Sequence, residues 1–341
     1  MMVFEDENSG RSDILPSDST PRASPGNGEA DQAGSFSVDL ASASFEKLKP
    51  PLSFDEQLAK MLGRGLSLGS MTHDEAIGWL ASCNYYRMSG YWLTLEDGDR
   101  FVEGASFQDI VDIMLLDSDL RALISKMLGP VEIKLRTQMA YHLSRTYGPD
   151  VFYTDEAFKD RHAQTKSRHS MEVEIEHAKS RNAPCVVHNL KKYGRLPAWA
   201  CVEVMSFGTL SRMYGNLENG DVASNIAQSF RLASVYLTSW LRCLTQVRNM
   251  CAHHERIYNR TLVYKPKIHR SDKLLDNSRG FAVLYILFKL YARSWPELGE
   301  RRLDELEEIL DAHRNVDLEP MGFPANWSER LRKMCRNGSI N

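Results

Sequence analysis

Residues 233–260 read ASVYLTSWLRCLTQVRNMCAHHERIYNR. Within this stretch Leu237, Trp240, Leu241, Leu244, Val247 and Cys251 recur at i, i+3, i+4, i+7, i+10 and i+14. That spacing predicts a helix over about Ala233 to His254 with one buried face. At ~100° per residue, Arg248 falls about 100° to one side of Val247 and His253 about 120° to the other. His254, one full heptad after Val247, returns to the apolar stripe and is expected in the core. Arg248 and His253 do not share a face of an ideal helix. Joint action requires either a distorted helix end or two copies of this helix that meet.

The flanking chain repeats the helical pattern. Phe54, Leu58, Met61 and Leu62 form one stripe ending at Gly63, and Thr72 with Glu75 spells a capping box for a second helix. Asn84–Trp92 reads as an irregular aromatic connection, and Arg100–Glu103 is expected to pair with Tyr91–Leu95 as a small hairpin. Ser106 precedes a long periodic stretch that Gly129-Pro130 interrupts or bends, because proline removes a backbone donor. Further helices are expected from Pro197 to Gly208 with an apolar continuation through Tyr214, over 222–230, from Phe281 to Arg293, and from Arg301 to His313. No repeat and no strand-rich block interrupts the pattern. The expected fold class is all-α, a helical bundle with at most a minor β-hairpin.

The expected organisation has four parts. Residues 1–45, rich in Ser, Gly, Pro and Asp, read as a disordered acidic tail. A helical subdomain spans 46–104, the main bundle 105–275 with a charged insertion near 150–190, and a helical extension 276–341. Residues 1–49 hold nine acids against four bases, so the overall charge of −3 leaves about +2 for the remainder. Nucleic-acid binding must then rest on local patches. No apolar run reaches the ~18 to 20 residues of a membrane span, and the start lacks the basic and apolar parts of a secretory signal. These features give a cytoplasmic expectation with no membrane partner. The six cysteines show no metal-ligand spacing and read as buried thiols, with no metal and no cofactor expected.

Arg248, Asn249 and the histidines suit one chemistry. Cleavage of RNA by its own 2′-hydroxyl needs a base, an acid and a cation on the phosphorane. Histidine titrates near neutral pH and serves as either base or acid. Arginine supplies a permanently charged phosphate fork. Asn249 is placed to bind a phosphate oxygen or orient the imidazole.

The run Arg248-Asn249-Met250-Cys251-Ala252-His253-His254-Glu255-Arg256-Ile257-Tyr258-Asn259-Arg260 resembles the signature of the Abi-like (AbiD/AbiF) abortive-infection proteins. Lys49–Leu66, Asn84–Tyr91, Pro197-Ala198-Trp199 and Ser206–Ser211 match the same family, so the resemblance spans roughly residues 47–270. It implies a bundle of the HEPN superfamily, preceded here by an N-terminal helical extension, and a metal-independent ribonuclease site at a dimer interface. Carried over by position, Arg248 is the phosphate ligand, Asn249 its polar helper and His253 the general acid/base. His254 satisfies the looser spacing and is the second candidate. Glu132 and Arg136 match a supporting pair on an earlier helix, although i, i+4 opposite charges also make plain surface pairs.

The implied function is an endoribonuclease of phage defence, toxin-like, acting as a homodimer with a composite site. The alternative is a non-catalytic RNA-binding module partnered with a small-RNA or protein antitoxin; a purely structural adaptor is the third reading. Lys191, Lys192, Arg195, Arg256, Arg260, Lys265 and Lys267 are the expected RNA contacts, since their runs interleave bases with aromatic or histidine side chains.

Overall fold

The computed structural model describes residues 48–338 except 219, 270, 271 and 273–275. The acidic stretch 1–45 lies outside the described residues. The chain is all-α with one two-stranded sheet among the described residues, as the helical periodicity predicts. It divides into two compact units, one through Phe107 and one from Gln108 onward.

In the first unit α1 (Phe54–Gly63) and α2 (His73–Ser82) pack on each other. Both begin with complete capping boxes, Ser53 with Glu56 and Thr72 with Glu75. Each box satisfies amide groups that the first helical turn leaves without partners. The aromatic stretch is more regular than expected: Tyr85–Ser89 forms α3, with the Asn84 side chain accepting from the Tyr86 amide. The hairpin is displaced from its expected place. Strand β1 (Glu96–Asp97) pairs antiparallel with β2 (Arg100–Phe101), because Gly98 adopts a φ of 60° and turns the chain there. Arg64 fixes that hairpin, donating to the Asp99 carbonyl and pairing with Glu96 at 2.8 Å.

From its second residue onward α4 (Phe107–Tyr147) belongs to the second unit, and it runs unbroken through Pro130. Of the interruption or bend expected at Gly129-Pro130, the interruption does not occur. Neighbouring side chains hold that turn: Val131, Leu128 and Met127 are buried, and the Tyr291 hydroxyl donates to the Met127 carbonyl at 3.0 Å. Two helices occupy the charged region, α5 (Arg161–Ser180) and α6 (Pro184–Tyr193), and α5 packs on α7 (Ala198–Val204) and α8 (Phe207–Gly215). Sequence periodicity runs α7 on to Gly208, but the helix stops at Met205. Ser206 is extended and accepts from the Thr209 amide, restarting the chain as α8. Ser has this effect because its hydroxyl competes for the first free amides of a new turn.

The remaining helices are α9 (Asp221–Ser229), α10 (Ser234–Ala252), α11 (Gly280–Ser294), α12 (Pro296–Ala312) and α13 (Trp327–Gly338). α11 is buried on nearly every side, from Phe281 to Leu287 without interruption, and packs on α10, α12 and α13. A helix apolar all round is a core helix. α10 also packs on α8 and α9. No helix among the described residues is long and apolar enough to cross a membrane. The thiols follow the expectation at Cys201, Cys243, Cys251 and Cys335, which are buried. Two depart from it: Cys83, which ends α2, is half-buried, and Cys185 is exposed, because α6 turns Val186, its neighbour, inward instead.

Candidate active site

The apolar stripe of α10 lies where the spacing puts it. Leu237, Trp240, Leu241, Leu244, Val247 and Cys251 are all buried, and Cys243 and Met250 widen the buried face. Arg248 and Asn249 are exposed at the helix end. His253 is the residue that closes the helix, with φ −94° and ψ 9°. Its amide donates to the Asn249 carbonyl at 2.9 Å.

His254 is not in the core. It is exposed and adopts the left-handed conformation at φ 56°. Its amide donates to the Cys251 carbonyl at 3.2 Å, and the Glu255 amide to the Met250 carbonyl at 2.8 Å. These paired bonds are the ordinary closure of a helix by a left-handed residue, a place where glycine is usual. Helical arithmetic therefore ends at residue 252, and the chain reverses before His254 reaches the apolar stripe. Ile257 and Tyr258 fill the buried positions instead.

Asn249 lies beside the first catalytic candidate. Its side-chain oxygen accepts from Arg248 Nη1 at 3.4 Å. It also precedes His253 by four residues, so both project from one helical face. On an ideal helix 140° separates Arg248 from His253, and Asn249 falls between them, 100° from Arg248 and 40° from His253. Between them stand Met250 and Cys251, both buried. Burial pushes the Cys251 thiol up to about 11, so it is a packed thiol rather than a nucleophile.

The residues after the motif are anchored from α4. Asp117 is fully buried, and its Oδ1 accepts the amides of Ile257 at 2.8 Å and Tyr258 at 2.7 Å. Its Oδ2 receives Arg121 Nε at 3.1 Å. The Tyr258 hydroxyl donates to the Asp317 carbonyl at 2.9 Å. Sequence reading missed Asp117 and Arg121, though a signal was present. They fall on the apolar stripe Ile110, Ile113, Met114, Leu120, Ile124, where an acid and a base one turn apart imply a buried polar anchor.

The other predicted residues fall into separate groups. Glu132 and Arg136 form an ion pair on α4, and Arg136 also donates to the Val202 carbonyl, which ties α4 to the end of α7. Arg256 Nη1 donates to the carbonyls of Tyr258 (2.7 Å) and Asn259 (3.3 Å) and so braces the loop. Arg260 reaches Glu255 at 3.6 Å. Lys191, Lys192 and Arg195 lie exposed at the end of α6; Arg195 sits 5.6 Å over the Tyr153 ring and 3.6 Å from Asp150. Lys265 and Lys267 line a cleft beside the first half of α10, together with Lys159 and Arg242.

These features define a class: an all-α bundle that presents an Arg-Asn pair and a histidine at the closing turn of a core-packed helix. A family model described as Abi-like protein matches residues 78–259, just over half of the chain, and the protein belongs to that family. The match includes Arg248, Asn249, His253 and His254, and ends at Asn259. No curated protein and no solved structure matches the chain.

Proposed function

We propose that the protein is a metal-independent endoribonuclease of the HEPN type that acts in phage defence by abortive infection. The observation that carries this reading is the exposure of Arg248, Asn249 and His253 together at the closing turn of a core-packed helix, with Arg248 Nη1 donating to Asn249 Oδ1. His253 takes the proton of an RNA 2′-hydroxyl, and the 2′-oxygen attacks the adjacent phosphorus. Arg248 neutralises the equatorial oxygens of the phosphorane with its planar fork. The bond from phosphorus to the 5′-oxygen then breaks, and an imidazolium protonates that oxygen, leaving a 2′,3′-cyclic phosphate and a free 5′-hydroxyl. The same imidazole, once protonated, donates that proton to the leaving oxygen. A dimer in which two copies of the closing turn of α10 face one cleft brings Arg248 of one copy to His253 of the other. Glu132 and Arg136 support this arrangement by holding α4 against α7. The exposed bases contact the RNA.

The test uses labelled single-stranded RNA in EDTA, with the wild type, Arg248→Ala and His253→Ala. Wild-type cleavage that yields cyclic phosphate ends and is lost in both variants supports the reading. Cleavage that survives either substitution, or that EDTA abolishes, overturns it.

A further inference from the structure

Beside the first half of α10 lies an open cleft of about 490 Å³, a size within the usual range for ligand sites. Four of its lining residues are bases: Lys159, Arg242, Lys265 and Lys267, all exposed. Among the described residues no aspartate or glutamate lines it. Asp276 lies near Lys265, but its carboxylate is held by the Ser278 amide (2.8 Å) and hydroxyl (2.6 Å). In a chain that is nearly neutral outside its first 49 residues, such a concentration of one sign is a local feature of this cleft.

The cleft is built rather than incidental. The Ser239 hydroxyl accepts the Lys267 amide at 2.9 Å, and Trp240 Nε1 donates to the Lys267 carbonyl at 2.8 Å. The Tyr264 amide donates to Gln246 Oε1 at 3.0 Å. On the opposite wall the Lys159 amide donates to the Asn216 carbonyl at 3.0 Å. These bonds fix the backbone behind three of the basic or aromatic side chains and leave their heads at the surface. Arg242 stacks on the Tyr264 ring at 4.5 Å, beside the exposed Val263. Cations flanked by a flat ring and an apolar surface suit the alternating phosphates and bases of a single strand.

The position relative to the motif sets direction. Thr238, Arg242, Gln246 and Asn249 fall within a sector of about 80° along α10, and His253 lies in the same sector. Arg242 lies roughly 16 Å along the helix axis from His253. A strand held in the cleft therefore needs only a few nucleotides to reach the closing turn.

We infer that this cleft is an RNA exosite: it grips the phosphates of single-stranded RNA that flank the scissile bond and feeds the strand along α10 toward His253. The inference rests on the ribonuclease reading for its direction, while the binding it claims is measured without cleavage.

The test uses the full chain and a short labelled single-stranded RNA, 2′-O-methylated so that it cannot be cut. Binding is followed by anisotropy across a salt series, for the wild type and for Lys159→Gln with Lys267→Gln. Both lysines are exposed, and thermal unfolding checks that the variant folds. Losing two phosphate contacts should weaken binding at least tenfold and flatten the slope of log K against log salt by about 1.4. A strand carrying 4-thiouridine should crosslink to the peptide containing Tyr264. Unchanged affinity and slope, or crosslinks confined to other surfaces, overturn the exosite while leaving wild-type cleavage to stand. Wild type that binds in this way but cuts no unmodified RNA keeps the exosite and overturns the nuclease. Failure of the wild type to bind RNA, or displacement of the strand by ATP at lower concentration than by unlabelled RNA, overturns the exosite too.

Discussion

The buried carboxylate of Asp117 accepts the backbone amide of Tyr258 at 2.7 Å, joining the first third of α4 to the segment just after the Arg-Asn…His turn. The same oxygen takes the Ile257 amide, and Arg121 balances the charge. Together with the paired closing bonds at His254 and Glu255, these contacts fix the chain on both sides of His253. An exposed imidazole is thus set on a rigid base, which is what positioned proton transfer demands.

Removing that anchor is costly. Asp117→Ala removes the carboxylate that accepts two buried amides and pairs with the Arg121 guanidinium, which keeps its bond to the backbone carbonyl of residue 117, and breaking a buried pair in this way costs about 3 to 5 kcal/mol. The expected drop in Tm is roughly 10 °C, read by calorimetry, with new proteolytic cuts in 255–260. An Asp117→Ala protein that unfolds like the wild type would show that the anchor is dispensable.

The two histidines should separate in opposite directions. His254 occupies a left-handed site at φ 56°, so His254→Gly relieves backbone strain and is expected to add about 0.5 to 1 kcal/mol of stability. Its RNA cleavage should stay within a few-fold of wild type, whereas His253→Ala should lose cleavage with no change in Tm. A hundredfold loss in His254→Gly would move His254 into the chemistry. Single-turnover cleavage and thermal unfolding on the same preparations decide this.

Asn249 is exposed, so replacing it touches no core contact. If its amide holds Arg248 toward His253, Asn249→Ala should lower kcat by about 10- to 100-fold with KM little altered. Arg248→Lys should not restore what Arg248→Ala loses, because an ammonium lacks the bidentate fork. Equal activity of the lysine variant would reduce Arg248 to a point charge.

Cys251 sits inside the motif yet should be inert. Burial lifts its thiol to about 11, so at pH 8 roughly one part in a thousand is thiolate. Iodoacetamide should label the exposed Cys185 first and spare Cys251, as peptide mass spectrometry would show. Cys251→Ala should keep its cleavage activity.

These contrasts show what the sequence carries and where it stops. Periodicity located α10 and its buried face because burial repeats with the helix, and the capping boxes at Ser53 and Thr72 declared two helix starts locally. It misplaced His254 because the stripe rule assumes the helix continues, and nothing in Ala252-His253-His254 marks a left-handed turn as glycine would. The break between α7 and α8 was legible in principle at Ser206, but Trp199, Val202 and Met205 run into Phe207 and Leu210 with uninterrupted apolarity. The cleft beside α10 was legible only at Lys265 and Lys267. Lys159 joins them through tertiary folding, which places a loop before α5 against the end of α8, and local pattern holds no trace of that.

The composite-site reading makes a demand that single variants cannot meet. In a two-fold dimer, each site would take Arg248 from one subunit and His253 from the other. Arg248→Ala and His253→Ala homodimers are then both dead. A mixed dimer joins the intact Arg248 of one variant to the intact His253 of the other in one of its two sites. Random exchange makes half of the dimers mixed, so about a quarter of wild-type cleavage should return when the two inactive proteins are unfolded together and refolded. If each site instead takes both residues from its own chain, every site in the mixture lacks one group and no activity returns. Recovery near a quarter, with dimers confirmed by sedimentation, supports a shared site. A mixture that stays dead while wild type survives the same refolding assigns both residues to one subunit, and the 140° separation on α10 would then have to be closed by Asn249 alone.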